Sequence, residues 1–174
     1  MRDEDVDEYQ DNPDHDGGIR TAVDAWFEDS AAAKARYGPI ASWDTSGVTS
    51  MKYLFADKED FNDDISRWNV SKVVNMTCMF CGATSFNGDL SSWNVGQVKS
   101  MNNTFRVATS FNGDLSCWDV GQVKSMSSMF NGATSFTHQL GGAWSTSTAG
   151  KNWMFNNSPG TIAGKVKHAD GTIF

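Results

Sequence analysis

The sequence predicts an α/β repeat solenoid of about four and a half coils, built from short parallel strands and short helices or 3₁₀ turns. The main observation is a 25-residue period in the large apolar residues. In addition, the segments SFNGDLSSWNVGQVKSM (85–101) and SFNGDLSCWDVGQVKSM (110–126) differ at only two positions. Six apolar columns keep this step: Trp43, Trp68, Trp93, Trp118; Val48, Val73, Val98, Val123; Met51, Met76, Met101, Met126; Phe55, Phe80, Phe105, Phe130, Phe155; Phe61, Phe86, Phe111, Phe136; and Ile65, Leu90, Leu115, Leu140.

Each unit combines two hydrophobic patterns. Residues 86–91 alternate between apolar and polar side chains, which is typical of a short strand. Val98, Met101 and Phe105 then fall at i, i+3 and i+7, on one face of a short helix. We therefore expect every unit to contain a strand, a turn at its Trp, and a helix or 3₁₀ segment.

The aromatic columns predict how the units pack. A single short unit cannot bury both of its faces, so neighbouring units must stack on one another. Because paired strands lie about 5 Å apart, Trp should pack on Trp and Phe on Phe at roughly that spacing. Such columns account for a composition with 11 Phe, 8 Met and 7 Trp beside only four Leu.

The repeat also resembles a known family. The pattern F-N-x-D-L-S-x-W-x-V-x-x-V-x-x-M-x-x-M-F, seen from Phe86 to Phe105 with Thr104 in place of the second Met, is similar to that of BspA-type leucine-rich-repeat surface proteins. Their relatives include mycoplasma-type lipoproteins and algal chains. The resemblance covers residues 40–157 and implies a leucine-rich-repeat-like solenoid, display at a cell surface, and adhesion or protein binding. It implies no catalytic residues.

The segments that flank the repeat are predicted to act as caps. Ile19, Val23, Trp26 and Phe27 follow helical spacing, so an N-terminal cap helix is expected within residues 19–39, ending at Gly38-Pro39. Residues 158–174 lose the repeat and are predicted to form a C-terminal cap, either a small β-hairpin around Asp170-Gly171 or an irregular structure.

Residues 1–18 form an acidic tail for which disorder is predicted. Residues 12–19 partly match a calcium-binding loop, although Val23 stands where that loop needs a Glu. The tail has the formal charge of the whole chain, −7, so the remainder is neutral. Its charge comes from Arg2 against Asp3, Glu4, Asp5, Asp7, Glu8, Asp11, Asp14 and Asp16.

Charge and hydropathy exclude two classes of partner. A neutral repeat region lacks the basic footprint of a nucleic-acid-binding protein, and no apolar run is long enough for a membrane span. No signal peptide is predicted in this chain, although a precursor that lost one remains possible at this point. An extracellular or cell-surface location is therefore implied by the resemblance alone.

Cysteine and histidine residues do not form a recognisable catalytic or metal motif. Two residues separate Cys78 from Cys81, without a second Cys or His pair, which leaves open ordinary thiols, a Cys78–Cys81 bridge, or a metal or redox role. Cys117 has no partner at a suitable spacing. The three His residues, His15, His138 and His168, have no spacing typical of a catalytic triad, and the chain is predicted not to be an enzyme.

Polar side chains repeat along the predicted strand and form the candidate site. Asp64, Asp89 and Asp114 share a column and would repel one another, so the column is either a solvated ladder or a weak candidate for a cation, calcium among them. The predicted partner-binding residues are Asn87, Asp89, Ser91, Asn112, Asp114 and Ser116.

These patterns predict a non-catalytic interaction or adhesion module that binds a protein or surface ligand. The first alternative is a structural scaffold stabilised by a cation, and the second is an enzyme of unknown class. No cofactor is predicted beyond the calcium that the scaffold alternative would use.

Overall fold

A computed structural model describes residues 16–174 of the chain. This part of the chain contains three α-helices: α1 (Asp16–Glu28), α2 (Ser30–Tyr37) and α3 (Ala143–Thr146). It also contains one 3₁₀ turn at Ile40–Ser42. Strands β1 (Gln139–Leu140) and β2 (Thr161–Ile162) pair in parallel, with Gln139 opposite Thr161 and Leu140 opposite Ile162. Turns and loops form most of the remaining described chain.

The predicted fold class, an α/β repeat solenoid of alternating strands and helices, is wrong. Within residues 16–174, the structure has one two-stranded sheet and three helices, and the 25-residue units are built from turns. Adjacent units nevertheless contact one another through isolated parallel bridges, one per unit, at Ser50, Asn75, Ser100, Ser125 and Gly150.

The segment predicted as a strand fails to form one because side chains replace the backbone acceptors. Asn62 Oδ1 accepts a hydrogen bond from the Asn87 backbone N–H at 2.9 Å, and Asn87 Oδ1 accepts one from the Asn112 N–H at 2.8 Å. Asn112 Oδ1 extends this asparagine ladder to the Thr137 N–H at 3.0 Å. The alternating burial that predicted a strand is present, but the bonds between units at this position run from a backbone N–H to an Asn side chain, and no strand is formed.

The segment predicted as a helix is a run of turns instead. Two positions in every unit have positive φ, for example Asn103 at 55° and Val107 at 59°, which interrupts helical geometry. Backbone N–H groups that a helix would use internally donate to the next unit, as Asn103 N does to Ser127 O at 3.0 Å and Phe105 N to Met129 O at 2.9 Å. The apolar face of the predicted helix is therefore buried by a different backbone path.

The core consists of the predicted apolar columns. Phe55 and Phe61 stack within a unit with ring centroids 3.9 Å apart, and Phe55 and Phe80 stack between units at 5.5 Å. Four Trp side chains also connect units, because their indole N–H groups donate to main-chain carbonyls of the preceding unit; these are Trp68, Trp93, Trp118 and Trp144. Trp93 Nε1 donates to Ile65 O at 3.2 Å and Trp118 Nε1 to Leu90 O at 2.9 Å.

The N-terminal cap is two helices where the sequence predicts one. Asp29 interrupts the helix and caps α2, since its Oδ1 accepts hydrogen bonds from Ala31 N and Ala32 N, both at 3.0 Å. From α1, Arg20 donates to the carbonyls of Lys52 at 2.7 Å and Ser50 at 3.4 Å. These carbonyls belong to the first unit, which has no earlier unit to supply donors.

At the other end of the stack, the backbone N–H groups of the last unit have no following unit to accept from them, and residues 158–174 cover them. Trp153 N donates to Thr172 Oγ1 at 2.9 Å, and Phe155 N donates to Gly171 O at 3.0 Å. Lys167 and Ile173 form an antiparallel bridge on either side of the Asp170-Gly171 turn. The segment 166–174, called the terminal hairpin below, thus supplies acceptors to the last unit.

Lys151 is buried in the column that Met occupies in earlier units. Its Nζ donates to Ser147 O at 2.7 Å and to Ala149 O at 3.0 Å. Burial lowers the pKa of the Lys151 ammonium below its ordinary value, and Lys165 lowers it further. At this position the last unit therefore has the two hydrogen bonds of Lys151, whereas the earlier units have the apolar packing of a Met.

Replacing Val107 with Gly is expected to stabilise the protein. Val107 is 39% exposed and has a φ of 59°, a conformation that costs an L-residue roughly 1–2 kcal/mol. Gly loses about 0.5–1 kcal/mol more chain entropy, so the net gain is on the order of 1 kcal/mol and the melting temperature should rise by about 2–4 °C.

Val74→Gly is the matched control for this change. Val74 is 42% exposed and lies outside the positive-φ positions. Thermal unfolding should therefore show a lower melting temperature for Val74→Gly and a higher one for Val107→Gly. A loss of stability in both variants would contradict the strain assigned to Val107.

Candidate binding face

The six predicted partner-binding residues all lie on the surface. Asn87, Asp89, Ser91, Asn112, Asp114 and Ser116 are exposed, and the corresponding Asn62 and Asp64 of an earlier unit are exposed as well. We call these eight residues the Asn-Asp-Ser face. They lie on irregular segments and the turns that follow them, rather than on the strands that the sequence predicts.

The Asn side chains of this face have a structural role. The asparagine ladder uses their Oδ1 atoms as acceptors for the next unit, as described above, so these oxygens are partly engaged before any ligand binds. The ladder fixes the spacing of the face from one unit to the next. The solvated-ladder alternative of the sequence analysis includes such bonding of side chains to neighbouring backbone.

The Asp side chains close local turns. Asp89 Oδ1 accepts a hydrogen bond from the Ser91 N–H at 2.9 Å, and Asp64 and Asp114 make the same bond to the Ser two residues later, also at 2.9 Å. One carboxylate oxygen of each Asp is thereby fixed in orientation.

Hydrogen bonds keep these carboxyl groups ionised. The Ser91 hydroxyl and then its backbone N–H hold the pKa of Asp89 below its ordinary value, while Asp64 and Asp114 raise that pKa by less. The Ser116 backbone N–H and then its hydroxyl lower the pKa of Asp114, with a smaller contribution in the same direction from His138. The like charges of the face are thus outweighed by local donors.

The sequence predicts a weak candidate metal site at Asp64, Asp89 and Asp114. Within residues 16–174, no three His, Cys, Asp or Glu side chains come close enough together to hold a metal ion. The carboxylates follow one another along the stack without converging on one point. Most of the partial calcium-loop match at residues 12–19 lies outside the described residues, as does the predicted disordered tail up to residue 15.

The remaining candidate groups are dispersed. Cys78 is buried, Cys81 half-buried and Cys117 exposed, and all three are free thiols. Burial raises the pKa of the Cys78 thiol, an effect that disfavours the reactive thiolate. His138 Nε2 lies 3.0 Å from Asn112 O on the edge of the Asn-Asp-Ser face, and His15 lies outside the described residues.

Sequence reasoning missed a cleft at the C-terminal end of the stack. It has a volume of about 500 Å³ and lies between the last unit and the terminal hairpin. Trp153 and Phe174 are unusually exposed for aromatic residues, at 53% and 69%. The sequence contained one signal for this cleft, the position of Trp153. This residue stands outside the buried Trp column, in the column of Tyr53, Cys78, Asn103 and Ser128. The cleft is lined by Asn152, Trp153, His168, Ala169, Asp170, Thr172 and Phe174.

Comparison with known proteins assigns the chain to one family. The chain belongs to the family described as "Mycoplasma protein of unknown function, DUF285", which matches residues 21–144. The matched region extends from α1 to α3 and contains the whole Asn-Asp-Ser face. Neither the curated proteins nor the solved structures yield a match. No helix in the described part of the chain has the length and apolar character needed to cross a membrane.

Proposed function

We propose that the protein is a non-catalytic binding module related to BspA-type surface proteins, and that it holds a protein ligand on the Asn-Asp-Ser face. The observation that supports this proposal best is the fixed orientation of the exposed carboxylates. Each is locked in a turn, and the asparagine ladder connects successive turns. A surface that is ordered before binding loses less conformational entropy when a partner docks.

The charge of the face determines the chemistry of its partner. The face carries a row of three exposed negative charges, at Asp64, Asp89 and Asp114. The partner should therefore offer Lys or Arg side chains. Arginine is the better match, since its planar guanidinium can donate to a carboxylate and to a neighbouring carbonyl together.

Family context supports a surface location for this activity. DUF285 is related to BspA-like repeat families, and the repeat sequence resembles theirs along residues 40–157. We therefore place the protein outside the cell or at its surface, where adhesion to a protein ligand would be its role.

The test is a selection from a phage library of random 12-residue peptides, followed by affinity measurement on purified variants. The face variant carries Asp89→Asn and Asp114→Asn. Asn can accept the same turn hydrogen bond, as Asn69 does from Ser71 N at 3.1 Å, so stability at neutral pH should be unchanged. Selected peptides should be rich in Arg and Lys and should bind the face variant at least tenfold more weakly than the parent.

A charge-matched control comes from another column of the repeat. Asp44 and Asp119 also close turns, and the equivalent residues of the two intervening units are Asn69 and Asn94. The control variant Asp44→Asn/Asp119→Asn removes the same two charges and should bind the peptides like the parent. If peptide affinity fell equally in both variants, the loss would follow from net charge alone, which would contradict the proposal.

The cation-stabilised scaffold gives a different result in the same set of variants. Calcium would then raise the melting temperature of the parent but not that of the face variant, because a ligand of the native state stabilises it by mass action. That outcome, with peptide binding unaffected by the substitutions, would replace the proposed function.

A further inference from the structure

We infer that the cleft at the C-terminal end of the stack is a binding site for a neutral saccharide. It is separate from the Asn-Asp-Ser face, and the inference does not depend on the function proposed for that face. The cleft volume, about 500 Å³, falls within the range of small-molecule sites, roughly 300–1,000 Å³.

The walls of the cleft are fixed by backbone hydrogen bonds. Thr172 Oγ1 accepts a bond from Trp153 N at 2.9 Å, which ties the terminal hairpin to the last unit. Asp170 Oδ1 accepts from Thr172 N, also at 2.9 Å, and closes the turn of the hairpin. The two walls therefore hold their separation without a ligand.

Aromatic rings line the cleft and remain exposed to solvent. Trp153 contributes an indole from the last unit, and Phe174 contributes a phenyl ring from the hairpin. His168 packs against Phe174 edge to face, with ring centroids 4.7 Å apart, and so orients that ring. Exposed aromatic faces suit the C–H face of a pyranose, which is apolar although the rim of the sugar is polar.

Polar groups beside these rings match the hydroxyl rim of a sugar. The Asn152 amide and the His168 imidazole line the cleft at exposed positions, and both can donate and accept hydrogen bonds. A sugar hydroxyl also donates and accepts, so each group can be satisfied by one hydroxyl. A purely apolar ligand would bury these groups without partners, which costs free energy.

The charges around the cleft favour a neutral sugar over an acidic one. Asp170 lines the cleft, and neither Lys nor Arg does. The nearby Lys167 ammonium donates to Ser158 O and Gly160 O, below the hairpin, and is engaged there. A sialylated or sulfated sugar would therefore meet a carboxylate without a Lys or Arg in the lining to compensate for it.

Saturation-transfer difference NMR tests this inference with lactose, maltotriose and N-acetylchitotriose as neutral probes and 3′-sialyllactose as the acidic one. At least one neutral probe should receive saturation at the C–H protons of one ring face. Trp153→Ala should weaken that binding at least tenfold, and Asn152→Ala should weaken it by severalfold.

Tyr53→Ala is the control variant, because Tyr53 occupies the same position of the first unit as Trp153 does in the last. Both residues have positive φ and are 53% exposed. Tyr53→Ala should bind the neutral probe like the parent, and all variants should melt within a few degrees of the parent. Equal binding by Trp153→Ala, or no saturation transfer to any neutral probe, would overturn the inference.

Two further outcomes would also overturn it. Stronger binding of 3′-sialyllactose than of lactose would contradict the charge argument. Sedimentation that shows a dimer in the parent but a monomer in Phe174→Ala would assign the exposed rings to a second copy of the chain.

Discussion

Trp93→Ala is expected to lower the free energy of unfolding by about 3–5 kcal/mol, which approaches the whole stability of many single domains. Trp93 is 4% exposed and packs in the interior of the stack. The substitution removes a large aromatic volume and also leaves the Ile65 carbonyl, which accepts the indole N–H at 3.2 Å, without that donor. Urea unfolding followed by circular dichroism measures the loss.

Trp153→Ala provides the matched control, since it makes the same chemical change at a side chain that is 53% exposed. Its indole contributes little burial, and its backbone N–H keeps the bond to Thr172. The midpoint of unfolding should change by much less than in Trp93→Ala. Similar losses in the two variants would be inconsistent with the interior Trp column.

Gly171→Ala is expected to release the terminal hairpin from the last unit. A side-chain carbon at Gly171 would lie 2.0 Å from the backbone nitrogen of Asn156, and the φ of Gly171 is 79°. Backbone atoms cannot move aside as a flexible side chain would. The hairpin must therefore withdraw, and the N–H groups of Trp153 and Phe155 lose their acceptors. Amide hydrogen exchange at these two residues should accelerate by at least a hundredfold.

Gly164→Ala separates backbone strain from this clash. Gly164 also has a positive φ, 73°, but nothing lies within 4 Å of the position that a side-chain carbon would take. This variant should lose only about 1–2 kcal/mol, and the amides of Trp153 and Phe155 should keep the parent's protection. Unchanged protection in Gly171→Ala would show that the hairpin is not docked through Gly171.

Much of the core could be predicted from the sequence, whereas its secondary structure could not. The 25-residue columns of Trp, Val, Met and Phe are buried because a repeated apolar position faces the same interior in every unit. Alternation at 86–91 and helical spacing at 98–105 describe which side chains are buried, but a chain of turns can bury the same set. Val107 illustrates the limit, since no pattern predicts a positive φ at a β-branched residue.

The candidate face was more predictable than the cleft. Exposure of Asp89 and Asp114 follows from local alternation, and the turn that each Asp closes with a Ser two residues later is a local preference. The cleft instead depends on contact between residues 152–153 and 168–174. That contact requires the fit of Gly171 against the last unit, which depends on tertiary packing.

The hydrogen bonds around the repeated turns give the stack two different ends. At the first end, the carbonyls of Ser50 and Lys52 accept from Arg20, and at the last end, the N–H groups of Trp153 and Phe155 donate to the terminal hairpin. An uncovered acceptor row on one chain would match an uncovered donor row on another. Such head-to-tail contacts do not close on themselves and lead to filaments of unlimited length. Arg20 and the hairpin occupy the groups through which such contacts would form.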